Sequence, residues 1–282
     1  MPASGYRDLL LHLDDAGSND QRIRAAIELA ARFDAHLTGF LSLRPPAQAR
    51  HYIPQEFIDR HRKNAAERAQ RLRDQFEAAC SAAGIAHEWL QSDLPPISGM
   101  KLAGRVCDLS IVEKPSPVSA GRRDAWYGEP MLPHELSLRM GRPVLVLPQG
   151  GQAGGQAARL GRRALIAWNG SREAARAVHD GLPLLVQAEH ILLLSIDPAE
   201  TGGTPAGDMA RHLARHGAKV ELASQASGEE TVEAILRDAM QRFSLDLLVM
   251  GAYGHSRLSE MVFGGVTEAI LDGLDKPVLF GN

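Results

Sequence analysis

Four glycines cluster where a short apolar run, residues 247–250, gives way to a segment with helical character. They are Gly251, Gly254, Gly264 and Gly265. Glycine lets another group approach the main chain closely, and the last pair directly precedes a helix expected to begin at Val266. Main-chain N–H groups at the positive end of a helix make a seat for phosphate. The cluster therefore predicts an anion site, although a tight turn also explains any single glycine.

The spacing of these glycines, G-x2-G-x9-G, matches neither of the common phosphate-binding sequences. It is not the Walker A sequence, and it is not the GxGxxG dinucleotide fingerprint. The loop contains no lysine, and its basic side chains are His255 and Arg257. The predicted contacts to an anion are therefore mostly main-chain N–H groups.

Short apolar strands alternate with helical segments, and these elements must position the glycine loop. The runs DLLLHL, LTGFLSL, DLSIVE and PVLVLP are nearly continuous in apolar residues, which is typical of parallel strands covered on both faces. Helices are expected at 171–185 and 231–243, and a long amphipathic helix within 51–83. Ser227 with Glu230 predicts a capping box for the helix at 231–243. Right-handed crossovers then give a doubly wound sheet, in which ligands bind after strands one and four.

The chain repeats itself, so two such sheets are predicted. Asp14, after the first apolar run, falls opposite Asn169 at an offset of 155 residues. Farther along, Asp108 falls opposite Asp246 at an offset of 138 residues. A glycine-rich stretch that begins at Gln149 has the composition of a linker between the copies. The predicted domains are 1–155 and 156–282.

Composition and charge exclude several classes of protein. With 44% hydrophobic and 23% charged residues, the chain has a globular composition, and its formal charge of −3 provides no basic field for nucleic acid or acidic lipid. The two cysteines are too few for a disulfide framework. The N-terminus lacks the pattern of a signal peptide, and no run of about 18 apolar residues predicts a membrane span. These features favour the cytoplasm, with neither a nucleic-acid nor a membrane partner.

Two motifs carry a resemblance to a known family. The segment MGAYGHSRLSEMVFGGVTEAILDGLDKPVL resembles the C-terminal signature of the universal stress protein family, and AWNGSREAARA resembles that family's first strand and loop. Tandem members also occur in the family, and the resemblance extends over nearly the whole chain. It implies, for each copy, a five-stranded parallel α/β fold of the Rossmann-like, adenine nucleotide alpha hydrolase-like kind.

The resemblance also implies a nucleotide site in the second copy. Family members that bind nucleotide hold ATP between the loop after strand one and the glycine motif, so ATP is the expected cofactor, with or without Mg²⁺. The adenine and ribose would lie near Ala167, Asn169, Ser195 and Met250. The phosphates would meet Gly251, Gly254, Gly264, Gly265, Val266 and Thr267.

Two residues depart from the family motif. Asn169 stands where the family has an aspartate, and it can still bond a ribose hydroxyl or adenine, but without a charge. Gly265 stands where the family has Ser or Thr, so one hydroxyl contact to phosphate is lost while the main-chain N–H remains. One neutral hydrogen bond is worth about 0.5–1.5 kcal/mol, so this loss is expected to weaken ATP binding by about tenfold at most.

The first copy lacks the phosphate seat. Glu113 falls opposite Gly251, where its carboxylate would repel phosphate, and Pro130 falls opposite Gly264 and has no N–H to donate. We expect the first copy to be a structural partner of the second. The apolar strands PVLVLP and PVLF would otherwise be exposed edges, so we expect them to pair within the chain as an intramolecular pseudo-dimer. A further homodimer of chains is left open.

The sequence therefore favours a stress-response protein whose second domain binds an adenine nucleotide. Nucleotide binding would change either the conformation of the protein or its binding to a protein partner that the sequence does not identify. No residue has the pattern of a catalytic general base, so any ATP hydrolysis is expected to be slow. No metal site is predicted, because His212 and His216, four residues apart, lack further ligands nearby in the sequence. Two other classes stay open: a scaffold of the same fold that binds no nucleotide, and a binder of another small molecule.

Overall fold

The computed structural model describes residues 5–14, 19–43, 55–114, 132–149, 160–197, 205–252 and 265–281, without the side chains of 55–65. The chain divides into two compact units. The first-copy unit comprises Tyr6–Leu136 and Gln149–Ala158, and the second-copy unit comprises Met1–Gly5, Ser137–Pro148 and Arg159–Asn282. The predicted domain boundary near 155 stays a prediction.

The first-copy unit contains a parallel sheet whose strands are connected by helices. Its strands are β1 (Asp8–Leu13), β2 (His36–Ser42), β3 (His87–Ser92) and β4 (Leu109–Glu113), in the order β3-β2-β1-β4. The pairings of β1 with β2, β1 with β4 and β2 with β3 are parallel. The helices are α1 (Asn19–Phe33), α2 (Gln55–Ala82) and α3 (Pro96–Ala103), which a 3₁₀ turn at Gly104–Val106 follows. Helix α4 (Leu132–Arg139) comes after β4 in the chain.

The second-copy unit repeats this pattern and carries two additional strands. Its strands are β5 (Val144–Leu147), β6 (Arg163–Ala167), β7 (His190–Ile196), β8 (Val220–Gln225), β9 (Leu247–Gly251) and β10 (Val278–Gly281), in the order β5-β10-β9-β6-β7-β8. Its helices are α5 (Arg172–Asp180), α6 (Leu182–Leu185), α7 (Ala206–Arg215), α8 (Val232–Arg242) and α9 (Gly265–Gly273). Strand β5 pairs antiparallel with β10, so the last strands of the two repeats lie side by side. The pseudo-dimer itself stays a prediction.

The two units have the same strand register. Leu9 of β1 lies opposite Leu109 of β4, and Ala164 of β6 lies opposite Leu247 of β9. These pairs preserve the offsets of 155 and 138 residues that relate the two repeats in the sequence. The central strands are buried along almost their whole length, as expected for parallel strands with helices on both faces. The predicted α/β, doubly wound fold class is confirmed.

One aspartate fixes the start of the first strand in each repeat. Asp108 accepts the main-chain N–H of Asp8 at 3.0 Å, and its counterpart Asp246 accepts the main-chain N–H of Arg163 at 3.2 Å. A carboxylate bond to main-chain N–H groups is stronger than a neutral hydrogen bond. The repeat therefore preserves a specific tertiary contact and not only an apolar pattern.

Helix α2 is the long amphipathic helix that the sequence predicts in the first repeat. Its buried face includes Leu72, Phe76 and Cys80. The Phe76 ring lies so close to β2 that a Cβ added to Gly39 would be 2.9 Å from it. In the part of the chain that the structure describes, neither this helix nor any other combines the length and apolarity that crossing a membrane requires.

Helix α8 starts differently from the prediction. The sequence predicts a capping box from Ser227 and Glu230, but the N-cap is Thr231, whose Oγ1 accepts the Ala234 N–H at 3.2 Å. The Ser227 carbonyl accepts the Glu230 N–H within the preceding turn. The capping-box prediction is wrong because a hydroxyl nearer the helix satisfies its first donors. The single helix expected at 171–185 is also interrupted, and it forms α5 and α6.

Candidate functional site

A cavity of about 260 Å³ opens at the carboxyl ends of the central strands of the second-copy unit. It lies at the ends of β6, β7 and β9 and beside helices α8 and α9. This is the edge at which doubly wound sheets bind ligands. The lining residues are Ala167, Trp168, Asn169, Ser171, Leu194, Ile196, Val232, Leu236, Met250, Gly251, Gly265, Val266 and Thr267.

The cavity brings together most of the residues predicted from the sequence. Those that line it are Ala167, Asn169, Met250, Gly251, Gly265, Val266 and Thr267. Ser195 lies outside the lining. Gly254 and Gly264 lie outside the described residues, so their place in the predicted phosphate seat stays a prediction.

Strand alternation explains why Ser195 is separate from the other residues. Ala167 pairs with Leu194 in the parallel register of β6 and β7, so these two side chains share the face that borders the cavity. Ser195 is the next residue along β7, and its side chain therefore points to the opposite face, where it is buried. Ile196 returns to the face of the cavity.

The turn after β6 is held by two short polar contacts. Asn169 Oδ1 accepts the Ser171 N–H at 3.1 Å, and Gly170 between them has a φ of 70°, which favours glycine. Ser171 is the N-cap of α5, and its Oγ accepts the Ala174 N–H at 3.1 Å. These contacts position the start of α5 at the cavity. Ser171 was missed as a lining residue, and its N-cap position just after Asn169 is the signal that identifies it.

Gly251 has a packing role that needs no ligand. A Cβ at this position would lie 2.6 Å from the Ala174 nitrogen and 2.6 Å from the Glu173 carbonyl carbon, both in the first turn of α5. Gly281, its neighbour on β10, is equally tight, since its Cβ would be 2.4 Å from the Ala177 Cα. The absence of a side chain at Gly251 therefore lets α5 lie directly on the sheet.

Gly265, in contrast, borders open space. A Cβ there would meet no atom within 4 Å. It begins α9, and Val266 and Thr267 follow it in the lining. The first N–H groups of a helix have no acceptors within the helix, and they carry the positive end of its dipole. This side of the cavity is therefore suited to an anionic group.

The remaining walls of the cavity are apolar. They include Leu194 and Ile196 from β7 and Val232 and Leu236 from α8. Sequence reasoning did not select these four residues, because their role depends on which face each element turns to the cavity. None of the described lining residues carries a charged side chain. Apolar walls with a polar helix start suit a flat, weakly polar ring that carries an anionic group.

The arrangement offers no acid–base or metal chemistry within the described residues. The lining has no carboxylate, imidazole or amine to transfer a proton. Over the same described ranges, no cluster of three or more His, Cys, Asp or Glu residues has a geometry suited to a metal ion.

The corresponding end of β4 in the first-copy unit is occupied by charged side chains. Arg22 of α1 donates to Asp14 Oδ1 at 2.6 Å, and its Nε lies 3.2 Å from Glu113 Oε2. The guanidinium is only 2% exposed and also donates to the His12 carbonyl at 3.1 Å. Burial alone would lower the pKa of Arg22, but the carboxylates of Asp14 and Glu113 raise it above its usual value. Glu113 therefore makes an internal ion pair at the position of Gly251.

His12 lies beside this network and is buried. Burial is the main cause that lowers the pKa of His12 from 6.5 to about 4, while the nearby Asp14 opposes the shift and Arg22 adds to it. The imidazole is therefore neutral at pH 7. Pro130, the other residue expected to close the first copy, lies outside the described residues.

A family model matches most of the second repeat. Residues 161–280 match the model of the universal stress protein family. The matched residues extend from β6 into β10 and include all the residues that line the cavity. A comparison with curated protein sequences gives no match.

Solved structures are similar to nearly the whole chain. A universal stress protein from Archaeoglobus fulgidus DSM 4304 is 14% identical with a TM-score of 0.73, over 98% of this chain and 97% of that one. A putative universal stress protein from Pseudomonas aeruginosa UCBPP-PA14 is 17% identical with a TM-score of 0.57, over 98% and 93% of the two chains. At these identities the likeness shows the fold alone.

A universal stress protein in complex with cAMP is also similar. It is 19% identical with a TM-score of 0.30, over 51% of this chain and 97% of that one. Its bound cAMP is a property of that protein, and the likeness is too distant to carry an argument about this chain.

Proposed function

We propose that this chain is a tandem universal stress protein whose second copy binds an adenine nucleotide. The nucleotide is ATP, with or without Mg²⁺, and any hydrolysis is slow. Binding changes the conformation of the protein or its choice of protein partner during stress in the cytoplasm. The first copy is a structural partner of the second.

The observation that carries this proposal is the composition of the cavity. Its apolar walls, which include Leu194, Leu236 and Met250, suit the faces of adenine. The start of α9 at Gly265 faces the same space and suits a phosphate. Asn169 borders the cavity at the end of β6, where its side chain suits the ribose or the base.

Calorimetric titration of the full chain with Mg-ATP tests the proposal. Val232→Trp places a large ring in the cavity, because Val232 lines it from the first turn of α8. The matched control is Leu222→Trp, which adds the same ring on β8 at a residue that is 49% exposed and outside the lining. We expect the wild type and the control to bind Mg-ATP alike and the Val232→Trp variant to lose binding.

Mass spectrometry of ligand released from freshly purified protein gives the second readout, and adenine nucleotide is the expected species. If Mg-ATP binds equally well to the Val232→Trp variant, the cavity is not the nucleotide site. An equal response to unrelated polyanions such as inorganic triphosphate indicates an anion seat without a base pocket. Either result contradicts the proposal.

The alternative is a scaffold of the same fold that binds no nucleotide. Two observations favour it: packing against α5 accounts for Gly251, and the Ser171 N–H engages Asn169 Oδ1. Neither feature requires a ligand. A thermal unfolding midpoint that no adenine nucleotide changes, together with no co-purified ligand, would support the scaffold.

A further inference from the structure

The first copy has aromatic rings at the two strand positions where the second copy has its cavity. His12 of β1 matches Ala167 of β6, since the repeat offset between these strands is 155 residues. His12 pairs with Phe40 in the register of β1 and β2, just as Ala167 pairs with Leu194 in the register of β6 and β7. Phe40 is therefore the counterpart of Leu194.

The two pairs of counterparts differ in whether their side chains leave a cavity on this face of the sheet. Ala167 and Leu194 both line the cavity of the second copy. His12 and Phe40 fill the space with each other, because their rings stack with centroids 6.4 Å apart and an angle of 29° between their planes. His12 is 4% exposed and Phe40 is 1% exposed.

The helix that covers this face closes on the rings. Helix α3 follows β3 as α8 follows β8, and α8 contributes Val232 and Leu236 to the cavity wall. In the first copy, α3 lies so close that a Cβ added to Gly99 would be 2.5 Å from Phe40 Cζ. Helix and ring are in direct contact where the second copy keeps a gap.

We propose that His12 and Phe40 plug the base pocket of the first copy, so that the chain binds one ligand, in the second copy. These two positions then determine which repeat accepts a base. The plug acts on the base side of the site, independently of the lost phosphate seat at Glu113. The stoichiometry rests on the proposed function, but the plug itself is a property of packing.

Moving the plug into the second copy tests the inference. The full-length variant Ala167→His with Leu194→Phe reproduces the two rings in the open cavity. Its control, Leu222→Phe, adds a ring on β8 at a residue that is 49% exposed and outside the lining. In calorimetric titration with Mg-ATP, we expect one site in the wild type, one site of unchanged affinity in the control, and no binding in the double-ring variant.

Three results of this titration would overturn the plug. They are two sites in the wild type, retained binding in the double-ring variant, and equal loss in the control. If the double-ring variant does not fold by circular dichroism, Ala167→His alone replaces it. A single methylene group in a pocket already changes affinity by about tenfold or more, and an imidazole is larger than a methylene. We therefore expect Ala167→His to weaken Mg-ATP binding by at least about tenfold. An unchanged affinity would contradict the proposed plug.

Xenon separates a failure of the plug from a failure of the proposed function. Xenon enters apolar cavities regardless of the natural ligand. In crystals under xenon pressure, we expect a xenon atom in the cavity near Leu236 and none between His12 and Phe40. A wild type that binds no nucleotide but shows this xenon pattern contradicts the proposed function and leaves the plug supported. Xenon between the two rings of the first copy would overturn the plug.

Discussion

In both copies the end of the fourth strand contacts the first helix. Charged side chains make this contact in the first copy, and the main chain makes it in the second copy. At the end of β4, Glu113 lies 3.2 Å from the buried guanidinium of Arg22 on α1. At the matching end of β9, Gly251 has no side chain, and the first turn of α5 occupies the place of its Cβ. One topology therefore supports two different contacts at the same position.

Because of this difference, different polar groups lie at the carboxyl ends of the central strands in the two copies. In the first copy, Arg22 engages Asp14, the residue that matches Asn169. In the second copy, α5 packs directly on the strand, and its N-cap Ser171 borders the cavity next to Asn169. A repeated fold thus does not by itself preserve a repeated site. In this chain the two repeats differ in whether a side chain or the main chain lies between the fourth strand and the first helix.

The largest effect is expected from removing the buried cation of the first copy. Arg22→Met leaves the carboxylates of Asp14 and Glu113 without their partner, and breaking a buried ion pair in this way costs about 3–5 kcal/mol. Urea denaturation of the full chain measures the free energy of unfolding. Adding Glu113→Gln to Arg22→Met should recover part of the loss, because it removes one of the uncompensated charges. A loss below about 1 kcal/mol in the single variant contradicts a buried network.

The next effect is a dependence on pH that originates in the first copy. His12 has a pKa of about 4 in the folded protein against 6.5 unfolded, so between these values the unfolded chain binds a proton that the folded chain does not. The contribution of the neutral His12 to the free energy of unfolding is therefore complete above pH 6.5 and is lost as the pH falls towards 4. Each pKa unit corresponds to about 1.4 kcal/mol, so the expected loss is about 3 kcal/mol. His12→Phe keeps a ring beside Phe40 but cannot titrate. The difference in pH slope between the wild type and this variant isolates His12, and identical slopes contradict the buried neutral imidazole.

Glycine to alanine substitution separates the two roles of glycine in the second copy. Gly251→Ala forces a methyl group into the main chain of α5 and should destabilise the protein by about 1–3 kcal/mol. Gly265→Ala meets open space and should change stability by no more than about 0.5 kcal/mol. Thermal and urea unfolding of the two variants give the comparison. Equal effects at both positions would mean that α5 does not rest on Gly251.

The smallest effect concerns affinity and follows from the proposed function. Gly265→Ser adds the hydroxyl that the family motif has at this position, and the open space around Gly265 accommodates it. One additional hydrogen bond to phosphate should tighten Mg-ATP by about two- to tenfold. Gly265→Ala is the control, since it adds a carbon without a hydroxyl. Equal affinities of the two variants would show that no phosphate lies near residue 265.

The fold was predictable because the apolar pattern of the strands and the internal repeat both indicate a doubly wound α/β fold. The nearly continuous apolar strands predict parallel pairing, and the offsets between Asp14 and Asn169 and between Asp108 and Asp246 predict a repeat whose register the structure shows. Helix boundaries were less predictable, since Thr231, and not Ser227, caps α8.

The site was only partly predictable, because its remaining features depend on contacts between distant elements. The motif gives a position on the strand, but strand alternation turns Ser195 away and turns Leu194 and Ile196 towards the cavity. The wall from α8 and the contact of α5 with Gly251 join segments that are far apart in the sequence. The stacking of His12 on Phe40 likewise appears only when β1 and β2 are paired.

Hydrogen exchange of the full chain with and without Mg-ATP tests most directly whether the two copies differ in ligand binding. We predict slower amide exchange on nucleotide binding at 167–171, 250–251 and 265–267 in the second copy. We predict no change at 12–14 and 112–113, the matching ends of β1 and β4. Equal protection of both sets, or protection confined to the first copy, would contradict this division of roles between the repeats.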